Sequence, residues 1–231
     1  MKNVLTTNNM LKFVIGDIHG GYRSLKQCLE RSNFNYDEDQ LIVLGDIVDG
    51  WSETPQVIEE LLKIKNLILI EGNHDTWARE WFKFGARPII WTQQGGQATI
   101  DSYIANPELM IKHREFFDKA VKCYVDEDRL FVHGGFRLGI PADEQDLRYL
   151  SWDRDLYDMR NNTLDISPYK EVFVGHTTTW NISHLPFERN GVYFLDQGAG
   201  WEGVLTIMNV DTKEFWQSDK VSGLYPECKG R

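Results

Sequence analysis

The sequence predicts an α/β fold with parallel strands and crossover helices, on three observations. Short apolar runs alternate with helix-period segments through the first third of the chain. Each of these runs ends in a glycine beside a polar residue. The 231 residues, 42% of them hydrophobic, are enough for one sizeable core. Residues 11–15 read as the first strand, and in residues 22–32 Leu25, Cys28 and Leu29 share a helical face, which completes a β-α unit. Residues 40–44 read as the second strand. Thr54 and Pro55 then read as an N-cap and a proline at the first helical position, with Val57, Ile58, Leu61 and Leu62 on one face. The third strand falls at residues 67–70. This alternation implies parallel pairing through right-handed crossovers, and ligands of such sheets gather at the carboxyl ends of the strands. Gly16-Asp17, Gly45-Asp46 and Gly72-Asn73 close the three runs, so they are expected to meet at one rim. From about residue 85 to 122 the pattern is helical and aromatic, with no linker to set it apart; it predicts a helical insertion beside the site within a single domain spanning residues 1–231. Runs at 123–126, 129–133, 172–175, 192–195 and 204–210 read as sheet, the first two joined through a solvated hairpin tip at Asp126-Glu127-Asp128.

Composition narrows the function classes. A formal net charge of −10 repels polyanions at long range, and no dense Lys/Arg block offsets it, so no nucleic-acid partner is expected. The first apolar run is interrupted by Lys12 and is too short for a leader or a span, so no membrane partner is expected either. Cys28, Cys123 and Cys228 are odd in number and widely separated, which suits a reducing, cytoplasmic setting. Nothing in the sequence sets an oligomeric state.

The chemistry is concentrated in Gly16-Asp17-Ile18-His19-Gly20, Gly45-Asp46-Ile47-Val48-Asp49 and Gly72-Asn73-His74-Asp75, each at the end of a strand-like run. These clusters bring carboxylate, amide and imidazole donors to one place. With ten of these fourteen residues counted as specified, at typical usages of about 5–8%, chance agreement is on the order of 10⁻¹² per placement. His133 in Val-His-Gly-Gly and His176 in Val-Gly-His-Thr also follow apolar strands directly, where a buried strand has no ordinary use for an imidazole. Both read as ligands.

In this order and spacing GDIHG, GDIVD, GNHD, HGG and GHT resemble the motifs of the metal-dependent serine/threonine protein phosphatases, a branch of the calcineurin-like metallophosphoesterases, over roughly residues 13–208. The GHT form, Ser151-Trp152-Asp153-Arg154 and Leu195-Asp196-Gln197-Gly198-Ala199-Gly200 are similar to the bacterial and phage (lambda-phosphatase-like) members. The resemblance implies a metallophosphatase four-layer sandwich, two mixed β-sheets flanked by helices. It also implies that Asp17, His19 and Asp46 hold one divalent metal and that Asp46, Asn73, His133 and His176 hold a second, with Asp46 as the bridge. A shared anionic ligand is what two cations about 3.5–4 Å apart require. Mixed oxygen and imidazole ligation suits Mn²⁺, Fe²⁺ or Zn²⁺, and Mn²⁺ is the expected ion.

By the same resemblance His74 is the general acid, Asp49 the carboxylate that orients it, and Arg154 and Asn73 contact the phosphate. One departure stands out. Where the family pattern reads Gly-Asp-x-Val-Asp-Arg-Gly, this chain has Asp49-Gly50-Trp51, so an arginine expected at the phosphate is missing. Arg137 could lie near the rim, and Trp51 could stack on a flat leaving group.

The implied reaction is hydrolysis of phosphoserine, phosphothreonine or phosphotyrosine, or of a small phosphoester, by a metal-bridging hydroxide. Two other readings remain open: hydrolysis of symmetrical dinucleoside polyphosphates such as diadenosine tetraphosphate, and a non-catalytic metal-binding module. The complete apparent ligand set and the Asp49–His74 pair argue against the last. His113 and His184 have no motif around them and are expected to be surface or structurally satisfied histidines. Trp77, Trp81, Phe82, Phe84 and Trp91 are expected in the core rather than along a substrate groove.

Overall fold

Alternation along the central strands assigns each buried side chain to one of two layers. The computed structural model describes residues 10–158 and 164–231; residues 1–9, which bear on the expected absence of a leader, lie outside the described residues. In β1 (Lys12–Ile15) Phe13 and Ile15 face one way and Val14 the other, and in β2 (Gln40–Val43) Leu41 and Val43 oppose Ile42. β5 (Arg129–Phe131), β6 (Glu171–Val174) and β8 (Val192–Phe194) follow the same rule: Phe131 and Phe173 point toward the β1–β2 sheet, while Leu130, Val172, Val174 and Phe194 point away. Strands buried on both faces need cover on both, and that requirement produces four layers.

The first sheet has the order β10-β9-β1-β2-β3, with β3 (Asn66–Leu69), β9 (Thr206–Asn209) and β10 (Phe215–Gln217). β1 pairs in parallel with β2, and β2 with β3, whereas β9 runs antiparallel to β1. The second sheet has the order β4-β5-β6-β8-β7, with β4 (Tyr124–Asp126) and β7 (Phe187–Arg189); β5, β6 and β8 are mutually parallel. These are the expected two mixed sheets. The layer between them holds Val14, Ile42, Leu44, Phe131, Phe173 and Leu195, with Phe131 stacked on Phe173 at 4.8 Å.

The outer face of the first sheet is covered by α1 (Tyr22–Arg31), α2 (Thr54–Leu61) and α3 (Asn73–Phe84). They are joined there by α4 (Ile89–Trp91), a π-helical turn over Thr92–Gly96, α5 (Gln97–Ile104) and α6 (Met110–Phe117). Trp81, Phe82 and Trp91 lie in this core as expected, but Phe84 is exposed. α7 (Leu147–Trp152) covers the second sheet, and α8 (Val221–Leu224) precedes a segment that returns across the first.

Several local expectations change. Thr54 opens α2 instead of capping it, because Glu53 holds the N-cap position; the Thr54 hydroxyl lies 3.4 Å from that of Thr99. Asn73-His74-Asp75, placed by the sequence at the end of a strand-like run, is the first turn of α3. The Asp75 carboxylate caps this turn by accepting from Gly72 N at 3.0 Å. β7 and β10 were missed: each is three residues on a sheet edge, too short for alternation to stand out. Among the described residues no helix is long and apolar enough to cross a membrane.

Candidate active site

All the parallel strands deliver their carboxyl ends to one rim. Asp17 and His19 follow β1, Asp46 follows β2, and Asn73 opens α3 beyond β3; His133 follows β5 and His176 follows β6. The structure therefore brings together all six candidate ligands, four from the first sheet and two from the second, every one buried. Suitable donor atoms of Asp17, His19 and Asp46 lie within 4.8 Å of one another, as do those of Asp46, His133 and His176, so Asp46 is common to both groups. His133 Nε2 lies 3.1 Å from Asn73 Oδ1 and 3.3 Å from Asp46 Oδ2.

Backbone carbonyls decide which imidazole nitrogens are free. A carbonyl only accepts, so His19 Nδ1 donates to Val48 O at 3.0 Å and His133 Nδ1 donates to Leu44 O at 2.7 Å, leaving both Nε2 atoms facing the cluster. His176 Nε2 is buried with no partner. Burial, with His133 and Arg154 nearby, pushes the His176 imidazole down to about 2, so it is neutral and its lone pair is available. Burial opposes charge on His133, yet Asp46 and Asp17 drive it up to about 9, so the carboxylates demand positive charge at that point. Burial and the neighbouring Asp196 carboxylate hold Asp17 well above the usual carboxylate range. Burial also opposes ionisation of Asp46, but the His133, His74 and His19 imidazoles hold it well below that range. Crowded anions, an orphaned imidazole and inward-facing lone pairs fit divalent cations.

Beside this cluster His74 Nδ1 meets Asp49 Oδ2 at 2.6 Å, both residues buried. Asp49 is saturated further: Trp91 Nε1 donates to Oδ2 at 2.7 Å, and Thr99 Oγ1 donates to Oδ1 at 2.7 Å. Both donors come from the helices between residues 85 and 122. The Asp75 carboxylate accepts from Asp46 N at 2.7 Å and Ile47 N at 3.0 Å, tying the second and third motifs together. Sequence reasoning quoted Asp75 but gave it no role. It also passed over Asp196, which sits at the end of β8 and raises the Asp17 carboxyl.

The arginines resolve differently. Arg154 Nη1 donates to Thr177 Oγ1 at 3.0 Å, which places it on the rim next to His176. Arg137 instead lies over the Tyr149 ring at 4.5 Å, outside this cluster of contacts. Trp51 is not available to a leaving group: it is buried, stacked on Tyr225 at 5.0 Å, and donates from Nε1 to Ala199 O at 2.7 Å. His113 is buried and satisfied by Tyr103 and Glu59, and His184 stacks on Trp180. Trp77, expected in the core, lines a cavity of about 770 Å³ together with Ile90, Arg148, Ser151 and Trp152. Its ring stands edge-on to His74 at 5.1 Å, and Trp152 faces both Trp77 and His176, at 5.4 and 5.9 Å.

Two mixed sheets sandwiched by helices, with buried carboxylate, amide and imidazole donors at the strand ends, define the framework of a metal-dependent hydrolase. The calcineurin-like phosphoesterase family model matches residues 11–212, and the chain belongs to that family. It is 22% identical to the symmetrical bis(5'-nucleosyl)-tetraphosphatase of Neisseria gonorrhoeae (strain NCCP11945), over 93% of this chain and 98% of that relative. Its fold is similar to that of a Saccharomyces cerevisiae protein serine/threonine phosphatase, at a TM-score of 0.64 and 15% identity over 98% of this chain and 84% of the other. It is also similar to that of a metallophosphoesterase from Sphaerobacter thermophilus, at a TM-score of 0.58 and 17% identity over 94% of each chain.

Proposed function

We propose that this protein is a dinuclear-metal phosphomonoesterase acting on phosphorylated Ser, Thr or Tyr side chains. The observation that carries this reading is the buried Asp49–His74 pair beside the candidate ligands, at 2.6 Å. An alkoxide is a poor leaving group and needs a proton as its bond to phosphorus breaks, whereas a phosphoanhydride releases an already stable anion. A buried carboxylate–imidazole pair is thus most useful to an enzyme that cleaves esters of alcohols.

In this reading Asp17, His19 and Asp46 hold one divalent ion, and Asp46, Asn73, His133 and His176 hold the other. The donor set suits Mn²⁺ first, then Fe²⁺ or Zn²⁺. Once bound, the ions would supply a water deprotonated at neutral pH and the positive charge that neutralises the phosphoryl oxygens. Asp49 accepts from His74 Nδ1 and so fixes the ring with Nε2 as the atom left to pass a proton to the leaving oxygen. Arg154, on the rim beside His176, contacts the phosphate, and Asn73 helps orient it. Free thiols at Cys28, Cys123 and Cys228 suit the cytoplasm, where we place the protein.

A second reading, hydrolysis of symmetrical dinucleoside polyphosphates, is favoured by the near full-length Neisseria gonorrhoeae relative and by the Trp77 and Trp152 rings, which could take a nucleobase face. Parallel assays of the Mn²⁺-loaded protein on a phosphoserine peptide and on diadenosine tetraphosphate separate the two. The phosphomonoesterase reading expects the peptide to be the better substrate. Faster cleavage of the dinucleotide, unaffected by His74→Asn, would replace it with the second.

A further inference from the structure

Arg231 reaches the rim from the opposite end of the sequence. Its Nη1 lies 3.0 Å from His19 Nε2, its guanidinium sits over Trp201 at 4.5 Å, and its Nε is buried without a partner. The stem runs through a slot cleared of side chains on three sides. A Cβ on Gly95 would come within 2.9 Å of Arg231 Cγ, one on Gly50 within 3.1 Å of the same atom, and one on Gly200 within 3.2 Å of Cδ. The backbone is pinned as well, Arg231 N donating to Gly200 O at 2.8 Å.

The departure at residues 50 and 51 builds the seat for this segment. Gly50 opens the slot. Trp51 stacks on Tyr225, and its Cζ2 lies so close to Gly230 that a Cβ there would stand 2.9 Å from it. Tyr225 is held in turn by Glu53 Oε2 at 2.5 Å and by Arg23 N at 3.0 Å.

A guanidinium aimed into a site that gathers cations is repelled by them and is reconciled only by an anion shared between them. The lone pair of His19 Nε2 serves one partner at a time, so a metal taken by His19 releases Nη1 of Arg231, while Nη2 donates to Gln94 Oε1 at 3.4 Å. The buried Nε is then a second donor without a partner. Two donors from one planar group match two oxygens of a phosphoryl group. We propose that Arg231 is a phosphate-contacting residue that supplies, from the segment after α8, the guanidinium that the Asp49-Gly50-Trp51 motif lacks. This rests on the phosphoesterase reading above.

The test compares wild type, Arg231→Met and Arg231→Lys, all loaded with Mn²⁺. Inorganic phosphate binding is measured by calorimetry, with metal content and Tm alongside. Methionine keeps an apolar stem in the slot and removes the charge. Removing a charge-assisted bond corresponds to roughly 10- to 150-fold weaker binding, so Arg231→Met should weaken phosphate by that factor with metal content and Tm retained. Lysine should recover part of the loss, and added methylguanidinium should recover part of it in Arg231→Met. Wild-type phosphate affinity in Arg231→Met would overturn the proposal, and so would loss of metal or of folding, which would assign Arg231 to the scaffold. A wild type that holds its metals but binds no phosphate would instead defeat the phosphoesterase reading and the proposal with it.

Discussion

His19, Asp46, Asp49 and His176 all have left-handed backbone, with φ of 51°, 49°, 71° and 61°. For non-glycine residues this conformation costs about 1–2 kcal/mol each, and its concentration at one rim shows what the loops sacrifice to aim these side chains inward. His74 is placed with less strain, in the first turn of α3, where His74 N donates to Asp46 Oδ1 at 2.9 Å. Replacing His74 with Asn should leave the metal content unchanged and lower kcat by about 10²–10⁴ on alkyl phosphates, with a smaller loss on activated aryl phosphates. Parallel kinetics and elemental analysis check this. Equal losses on both substrate types would remove His74 from the role of leaving-group acid. At this scale the sequence exposed the candidate ligands, because each motif combines a turn-forming glycine with a donor in a short window. It could not expose Arg231, which follows no strand-like run and is far in sequence from every motif.

The helices between residues 85 and 122 acquire a specific role in the structure. Trp91 in α4 and Thr99 in α5 saturate the Asp49 carboxylate, so these helices hold the His74–Asp49 pair in place from outside the glycine-donor motifs. Trp91→Phe keeps the ring in the core and removes one bond to Asp49. It should lower kcat on alkyl phosphates by up to about tenfold with KM little changed, since the lost bond acts on the acid and not on substrate binding. A change confined to KM would place Trp91 in the substrate groove instead. In α1, Cys28 is buried and donates to Leu205 O, and burial pushes its thiol up to about 12. Thiol labelling followed by mass spectrometry should find Cys28 unmodified in the native protein and modified after unfolding. The alternation that reveals the strands also explains their trimmed ends: residues such as Leu44 and Val132 continue the apolar pattern past the last ladder pair, just before the backbone turns to present a donor.

The candidate ligands come from both sheets, so bound ions would tie the halves of the molecule together at the rim while Phe131, Phe173 and Leu195 hold them beneath it. Ligands that bind only the folded state stabilise by mass action, about 3 kcal/mol at a hundredfold excess over Kd. Chelation should accordingly lower Tm, and Mn²⁺ should restore it, in thermal scans of the same sample. An unchanged Tm would mean that the rim binds no ion of consequence. Phe173→Ala removes the ring stacked between Phe131 and Tyr193, at 4.8 Å from each, and should destabilise by about 3–5 kcal/mol, measurable by denaturant titration.

Taken alone, the sequence determined the parallel β-α order and the gathering of six candidate donors at strand ends, and its motif resemblance implied the two-sheet class and the pairing of Asp49 with His74. Periodicity and short motifs are local properties, and local properties survive in a one-dimensional string. The tertiary structure decided that Trp51 packs inward and that Trp77 lines a cavity. It also decided that Trp91 and Thr99 steady Asp49, and that the Arg231 stem runs beside Gly50. Each of these depends on which surfaces meet across tens or hundreds of residues, and close packing, not local pattern, selects those neighbours.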